Sequence, residues 1–280
     1  MNEKAVIFFM KELTEEIYKI LTQRRVRRAW PKSQRRIKNH IKNSLKTNQR
    51  LVIAVEWLGV KTVGSGKADN ADKLAISFLR KNIVEKLLQK GVKNVIVKIL
   101  FGDTNASYLD GYNKKRINLY WKTLKKIVHF SGKNFKLFKI SEKLYPNIFK
   151  LNGNENITLK EISEKMKAVD LFKRAKRKTD AICKSSYFKT INPLTKAHSL
   201  LVKNKFLTVK EATKRYIFFR IFTSILYEKF YPNEIFLSYT YPEINNLIIS
   251  QPIIYTFSIG KGCSKCPWFV NNKKITRNKK

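Results

Sequence analysis

A glycine-flanked serine stands where an apolar run gives way to a helical stretch. The loop from Val63 to Lys67 reads Val-Gly-Ser-Gly-Lys, and glycine loops before helices present free N–H groups to anions. The phosphate-loop pattern is missing, because no Ser or Thr follows Lys67 and no second glycine stands at the required spacing. Ser65 is a candidate nucleophile at the carboxyl end of a strand, where α/β sheets place their chemistry. The alternative interpretation is a plain turn chosen for flexibility.

Polar residues also follow the second apolar run of the chain. Asp103, Thr104 and Asn105 come directly after it, so parallel strands would bring them to the same edge as Ser65. Asp103 and Asn105 are therefore candidate substrate-binding residues. Asp and Asn are also preferred at helix N-caps, so a cap to the next helix is an equally open interpretation.

Tyrosines form a third group. Tyr216 and Arg220 are about one helical turn apart, and Tyr241 with Pro242 ends the following apolar run. A tyrosine at a strand end can hydrogen-bond a substrate amine or hydroxyl. The alternative is that these tyrosines are core residues with polar tips.

Strands and helices must hold these groups in place. Leu51–Val55 and Val95–Phe101 are apolar runs typical of buried parallel strands, and residues 71–89 between them have helical periodicity. This order is a βαβ unit, which predicts an α/β protein with a mostly parallel sheet. The same patterns predict further helices at 3–22, 112–130, 158–189 and 209–229, and further strands at 235–241 and 253–257.

The net charge of the chain indicates what kind of binding partner to expect. Lys plus Arg total 59 against 20 Asp plus Glu, a formal net charge of +39. The basic residues come in blocks, and the stretch from Leu21 to Arg50 contains no acidic residue. Such a chain favours a polyanion as partner, with nucleic acid first because phosphates release counterions when Lys and Arg bind them. A compositional bias towards Lys, Asn, Ile and Phe is the alternative, although it does not account for the arginines near the N-terminus.

The sequence argues against a metal site, a metal-dependent nuclease, a membrane span and a disulfide framework. Cys263 and Cys266 have metal-ligand spacing, but no second pair exists and His40, His129 and His198 are isolated in sequence, so we expect no metal and no cofactor. Scattered carboxylates argue against a metal-dependent nuclease. No apolar run reaches membrane-spanning length, and three cysteines make no disulfide framework, so a cytoplasmic setting is expected.

The order of these elements resembles that of the cyclodipeptide synthases, enzymes similar to class I tyrosyl-tRNA synthetases that use two aminoacyl-tRNAs to make a cyclic dipeptide. The resemblance covers roughly residues 50 to 245. It is carried by four features, which are Gly64-Ser65-Gly66 with Asp72-Lys73-Leu74, the strand end Leu100-Phe-Gly-Asp103, the basic stretch from Asn113 to Lys126, and Tyr216 followed by Tyr241-Pro242. The last pair is similar to the Tyr-Pro signature of one branch of the family.

The resemblance implies a fold and a division of the chain. The fold is a Rossmann-like three-layer α/β fold with basic helices on its surface. Residues 1–50 would be a basic N-terminal helical segment, 51–260 the catalytic domain and 261–280 a basic, flexible tail.

The resemblance also implies site residues. Ser65, Tyr216 and Tyr241 would be catalytic. The substrate-binding residues would be Gly64, Asp103, Asn105, Arg220 and Pro242. The tRNA-binding residues would be Lys114, Lys115, Arg116, Lys122, Lys125, Lys126, Arg174 and Arg177. Ser65 would accept an aminoacyl group from the first tRNA, and the amine of the second aminoacyl-tRNA would attack this acyl-enzyme.

Two departures from the family pattern stand out. The family has a glutamate four residues after its tyrosine, where this chain has Arg220. Arg220 would favour an acidic substrate side chain, or the site is not used as in the family. The nucleophile register is also open, because Glu56, Lys61 or Thr62 could stand where the family's serine belongs. The alternative function is non-catalytic binding of RNA, such as tRNA or the ribosome, in which the basic blocks would form one continuous face.

Overall fold

The structure is a computed structural model that describes residues 3–24, 26, 34–47, 50–57, 60, 66–144, 164, 167–186, 188, 199–238 and 253–255. The strands are β1 Leu51–Trp57, β2 Val95–Phe101, β3 Phe135–Lys139, β4 Ile235–Ser238 and β5 Ile253–Tyr255. The helices are α1 Glu3–Leu21, α2 Gln34–Lys46, α3 Asn70–Leu79, α4 Glu85–Gln89, α5 Asp103–Tyr108, α6 Lys114–His129, α7 Ile140–Leu144, α8 Val169–Cys183, α9 Leu200–Lys203 and α10 Val209–Phe230.

The strands form one sheet in the order β3-β2-β1-β4-β5, and every described pair is parallel. In the register of the sheet, Leu51 lies beside Val95, and Ile53 lies beside Ile235. Because successive strand residues point to opposite faces, Ile53 and Val55 face one core while Ala54 faces the other. Both faces are covered, as parallel sheets require.

Helices from the two parts of the chain cover different faces. Ile17 of α1, Ile41 of α2 and Ile117 of α6 pack with Val55 in the first core. Ala175 of α8 and Phe222 of α10 pack with Ala54 in the second. The predicted Rossmann-like three-layer α/β fold is therefore confirmed. The first two helices share the core of the sheet, and the predicted segment boundaries at 50 and 260 remain predictions.

The element predictions hold for several elements and fail for others. The predicted helix 158–189 is interrupted at Lys167 and Ala168 and ends at Cys183, and the sequence patterns do not predict the short helices α5, α7 and α9. Strand β2 has the predicted bounds, and the predicted helix 71–89 is one continuous helical segment, in which a π-helical turn at Arg80–Val84 joins α3 to α4. Side-chain caps set three helix starts: Asp69 caps α3, Asn113 caps α6 and Thr208 caps α10. The predicted helix 112–130 begins two residues later because Asn113 is its cap. Residues 239–241 and the predicted tail after 260 lie outside the described residues.

A buried polar network holds the carboxyl end of β1 to both of its neighbouring helices. The Trp57 Nε1–H donates to the Tyr120 hydroxyl at 2.9 Å, and that hydroxyl donates to Asp72 Oδ1 at 2.5 Å. Asp72 Oδ2 accepts the backbone N–H of Asp69 in the capping box of α3. The network thus joins β1, α3 and α6, and it gives Asp72 a structural role.

Tyr120→Phe should lower the free energy of unfolding by about 2 to 3 kcal/mol, because it leaves a buried indole N–H and a buried carboxylate oxygen without their partner. Urea unfolding followed by circular dichroism measures this. Tyr231→Phe is the matched control, since the Tyr231 hydroxyl is only half-buried and donates to a single carbonyl at 3.2 Å. A Tyr120→Phe loss no larger than that of the control would contradict this role for the network.

Candidate active site

The strand order places a topological switch point between β1 and β4. From β1 the chain moves outward to β2 and β3, and it returns through α10 to place β4 on the other side of β1. Connections therefore leave the carboxyl ends of these two strands in opposite directions and leave a crevice there. In open α/β sheets this crevice is where ligands bind.

A buried ion pair occupies this crevice. Arg220 Nη1 lies 3.0 Å from Glu56 Oε1, and Arg220 Nη2 lies 3.3 Å from Glu56 Oε2. The Ser238 hydroxyl donates to the same Glu56 Oε2 at 2.5 Å. Only 3% of the Arg220 side chain and 14% of the Glu56 side chain are exposed. β1, β4 and α10 thus meet in one polar cluster whose charges neutralise each other.

Tyr216 also interacts electrostatically with Arg220 of this cluster. Burial lowers the pKa of Arg220, but the nearby Glu56 carboxylate and, after it, the Tyr216 phenol raise it, so that the net pKa lies above the ordinary value. Tyr216 lies about one turn before Arg220 on α10. The structure therefore brings together two sequence-predicted site residues, Tyr216 and Arg220, with Glu56 between α10 and the sheet.

This geometry changes the interpretation of Arg220. Its guanidinium is bound to Glu56 in a bidentate pair, so its first role is to hold a carboxylate from β1. The sequence named Glu56 as one possible nucleophile position and did not single out Ser238. The signal for Glu56 was present, since it is the one charged residue within the apolar strand Leu51–Trp57.

Asp103 ties the carboxyl ends of β2 and β3 together. Its carboxylate accepts the backbone N–H of Ser141 at 3.1 Å and also the Ser141 hydroxyl. Burial raises the pKa of Asp103, and the Ser141 hydrogen bonds lower it less than burial raises it. Gly102 occupies the N-cap position of α5, so Asp103 is the first residue of the helix, and its side chain binds Ser141 in α7, just after the end of β3.

Within the part of the chain that the structure describes, two buried polar atoms next to Asp103 lack hydrogen-bond partners. Thr104 Oγ1 and Asn105 Oδ1 make no hydrogen bond to any described residue. Asn105 is 4% exposed. Buried polar atoms are normally paired, so these atoms leave hydrogen-bonding capacity beside the carboxyl edge. Asn105 therefore stays a candidate for substrate binding.

The loop that contains Ser65 ends against the basic helix α6. A Cβ on Gly66 would lie 3.3 Å from Arg116 Nε, and Gly66 has φ +74°, which a side chain rarely adopts. The Arg116 guanidinium lies 5.2 Å from the centroid of the Tyr112 ring. The residue that follows Ser65 thus touches the first turn of α6. Gly64, Ser65, Tyr241 and Pro242 themselves lie outside the described residues.

The predicted tRNA-binding residues divide between the two faces of the sheet. Those on α6 with exposed side chains are Lys114, Lys115, Lys122, Lys125 and Lys126, and those on α8 are Arg174 and Arg177. α6 packs on the first core and α8 on the second. The two blocks therefore do not share one flat face, and a single RNA would have to pass around an edge of the sheet to reach both.

Asp110 is a half-buried acid that no local sequence pattern singled out. Burial raises its pKa to about 8, so it keeps its proton at neutral pH. It lies in the turn between α5 and α6, where its backbone carbonyl accepts the N–H of Leu200. Its position just before Gly111 resembles that of an ordinary turn residue, which is why sequence alone did not mark it.

The described residues show neither a metal cluster nor a membrane-spanning helix. They contain no group of three His, Cys, Asp or Glu side chains that could hold a metal ion. None of their helices combines the length and the apolar character needed to cross a bilayer.

Comparisons with known proteins establish a fold relationship. No protein-family profile matches the chain, and no curated protein matches its sequence. The crystal structure of the PvcA protein from Pseudomonas aeruginosa is similar, with a TM-score of 0.66 and 14% identity, over 91% of this chain and 87% of that one. At this identity the likeness shows a shared fold. Membership of the cyclodipeptide synthase family, and of its Tyr-Pro branch, stays a prediction.

Arg220→Met should lower the free energy of unfolding by about 3 to 5 kcal/mol, because it leaves the Glu56 carboxylate buried without its guanidinium. A double variant with Glu56→Met should recover most of that loss, since an apolar pair of similar volume removes the unpaired charge. Both are measured by urea unfolding.

Lys214→Met on the same helix is the control, because it breaks an exposed pair with Asp180 at 3.4 Å, which should cost less than about 1 kcal/mol. A single Arg220→Met loss as small as the control, or no recovery in the double variant, would show that the pair does not carry the coupling between β1 and α10.

Proposed function

We propose that this protein is a tRNA-dependent aminoacyltransferase that joins two aminoacyl groups into a cyclic dipeptide. The observation that carries the proposal is the buried cluster of Glu56, Arg220 and Ser238 at the switch point, with Tyr216 about one turn away. A polar cluster sealed from water at this place is a suitable wall for an aminoacyl pocket.

The position of Gly66 next to Arg116 supports aminoacyl-tRNA as the substrate. An aminoacyl ester sits at the end of a polyanion, so its pocket needs cations near the nucleophile. A Cβ on Gly66, the residue after Ser65, would lie 3.3 Å from Arg116 Nε, so the two residues are neighbours, and α6 continues from there with exposed lysines. The basic helix would thus begin beside the proposed nucleophile, and its lysines would guide the phosphates of the tRNA towards Ser65.

The reaction runs through ester and amide exchange without any change of oxidation state. Ser65 Oγ forms an ester with the first aminoacyl carbonyl carbon, the bond from that carbon to the tRNA ribose breaks, and the serine proton passes to the ribose oxygen. The amine of the second aminoacyl-tRNA then forms an amide with the same carbon, and Ser65 leaves with a proton. Finally the free amine of the tethered dipeptide attacks the remaining ester, which closes the ring and releases the second tRNA.

Tyrosines orient the amine in these steps. Tyr216 would hydrogen-bond the substrate amine, and Tyr241 would assist the final cyclisation. Glu56 would supply from β1 the carboxylate that the family places at position 220. Because Arg220 neutralises Glu56, the pair does not strongly favour a substrate ammonium over a neutral amine, and only the neutral amine is nucleophilic. No ATP is required, since the esters arrive activated.

Expression of the chain in bacteria should release a cyclic dipeptide that mass spectrometry detects in the medium, and Ser65→Ala should abolish it. Ser131→Ala is the control, because the Ser131 hydroxyl donates to Ile127 O just after the far end of α6, and it should leave the yield unchanged. A product that persists in Ser65→Ala would move the nucleophile elsewhere in the 56–65 region. No product from folded, tRNA-bound protein would favour non-catalytic RNA binding.

Replacement of Lys122, Lys125 and Lys126 by Gln should weaken tRNA binding and flatten its salt dependence. Each lost phosphate contact lowers the slope of log K against log salt by roughly 0.7 to 0.9, so three contacts correspond to about 2 to 3. Filter binding at several salt concentrations measures this.

Two further sets of variants are compared with this triple variant in the same binding measurement. Three exposed lysines outside the proposed surface, Lys203, Lys205 and Lys210, make a charge-matched control that should change the slope less. Arg174→Gln with Arg177→Gln tests the opposite face separately. Equal effects of the α6 set and the control set would mean that tRNA binds through diffuse charge and not through α6.

A further inference from the structure

An open groove of about 550 Å³ lies at the amino edge of the sheet. It is lined from α2, from the starts of β1 and β2, and from the segment between α10 and β4. The candidate active site lies at the opposite edge, about 20 Å away along a seven-residue strand. A volume of this size is typical of sites for small molecules, and the proposed transferase reaction makes no use of it.

Two lysines share one oxygen of a buried carboxylate at the floor of this groove. Glu234 Oε1 accepts from Lys98 Nζ at 2.5 Å and from Lys143 Nζ at 3.3 Å. The side chains of Glu234 and Lys143 are 5% and 8% exposed. Lys143 Nζ also lies 4.0 Å from the centroid of the Tyr231 ring. Burial lowers the pKa of Lys143 to about 8, although Glu234 raises it.

The other oxygen of this carboxylate has no hydrogen-bond partner among the described residues. Glu234 Oε2 and His40 Nε2 are buried, and neither makes a hydrogen bond to any described residue. Both residues line the groove. Burial lowers the pKa of His40, which Glu234 opposes, so the ring is neutral at neutral pH. The groove therefore holds a carboxylate acceptor and a neutral imidazole whose hydrogen bonds are unmade within the described structure.

The charges around Glu234 decide which donor fits. Two lysines already face one carboxylate, so an ammonium group would be a third cation and would be repelled. A neutral N–H donor meets no such repulsion. Phe230, which is 49% exposed, and Tyr231 give the groove an aromatic wall for a flat ring. The exposed Arg50 on the lining suits an anionic group, and phosphate above all.

We propose that this groove is a nucleotide site in which Glu234 Oε2 accepts an N–H of the base, Phe230 and Tyr231 contact the ring, and Arg50 binds the phosphate. The nucleotide is either a free mononucleotide or one residue of a single-stranded RNA, because both present the same base and phosphate. The excess of positive charge on the chain raises the local concentration of either one.

Isothermal titration calorimetry with the four 5′-ribonucleotides tests the proposal on the full chain. At least one should bind, while ribose 5-phosphate, which lacks the base, and the matching nucleoside, which lacks the phosphate, should each bind at least about tenfold more weakly. A single-stranded hexanucleotide of the preferred base distinguishes the sources. If it competes with the mononucleotide and binds more tightly, the natural ligand is RNA.

Exposed residues make variants that leave the fold intact. Phe230→Ala and Arg50→Gln should each weaken mononucleotide binding about tenfold. Phe206→Ala is the matched control, because Phe206 is 74% exposed and precedes the opposite end of α10, and it should change nothing. Glu234→Gln, checked by thermal unfolding, should shift the preference among the four bases.

Three outcomes would overturn the proposal. These are no binding by any ribonucleotide, binding as strong for ribose 5-phosphate as for the nucleotides, and binding unaffected by Phe230→Ala and Arg50→Gln. Because the readout is binding at the amino edge, these results are independent of whether the chain makes a cyclic dipeptide.

Discussion

The carboxyl edge of this protein depends on one buried ion pair, between Glu56 of β1 and Arg220 of α10. A charge removed from water is costly unless its partner is held in place, so each residue restricts where the other can lie. The pair positions α10 over the sheet, and Ser238 of β4 donates to the same carboxylate. The orientation of Tyr216 follows, because it lies about one turn from Arg220 on a helix whose rotation the pair sets.

Successive residues of a strand point to opposite faces of the sheet, and this alternation explains why the polar strand residues lie on one face. Glu56, Lys98 and Ser238 share a face with Ala54, Leu100 and Phe236, which form the core under α8 and α10. Two buried charges on that face are met by partners from the later part of the chain, Glu56 by Arg220 and Lys98 by Glu234. The opposite face carries Ile53, Val55 and Val97 and is apolar in the same strands. One interface of the three layers therefore contains the buried charged groups of these strands, and the other is formed by their apolar side chains.

α10 links the two ends of that polar interface. Its 22 residues span about 33 Å, so the same helix carries Arg220 towards the carboxyl edge and leads to Tyr231 and Glu234 at the amino edge. Two polar clusters, each with a carboxylate and a buried cation, thus sit at opposite ends of one layer. The basic helices α6 and α8 pack on different faces of the sheet, α8 beside α10, and Lys122, Lys125, Arg174 and Arg177 on them are exposed to solvent.

The sequence by itself determined the local elements and their order. β2 was predicted with its observed bounds because it is an apolar run that Gly102 ends, and the capped helices begin beside Asp, Asn and Thr residues whose side chains satisfy free N–H groups. The βαβ pattern then predicted a parallel sheet, because its hand and connection lengths leave few alternatives.

Tertiary structure alone decided which charges meet. Glu56 and Arg220 are 164 residues apart, and their pairing follows from the insertion of β4 beside β1, which no local pattern of Arg220 reveals. The same holds for Glu234 and its two lysines, because burial and partners depend on how the layers pack.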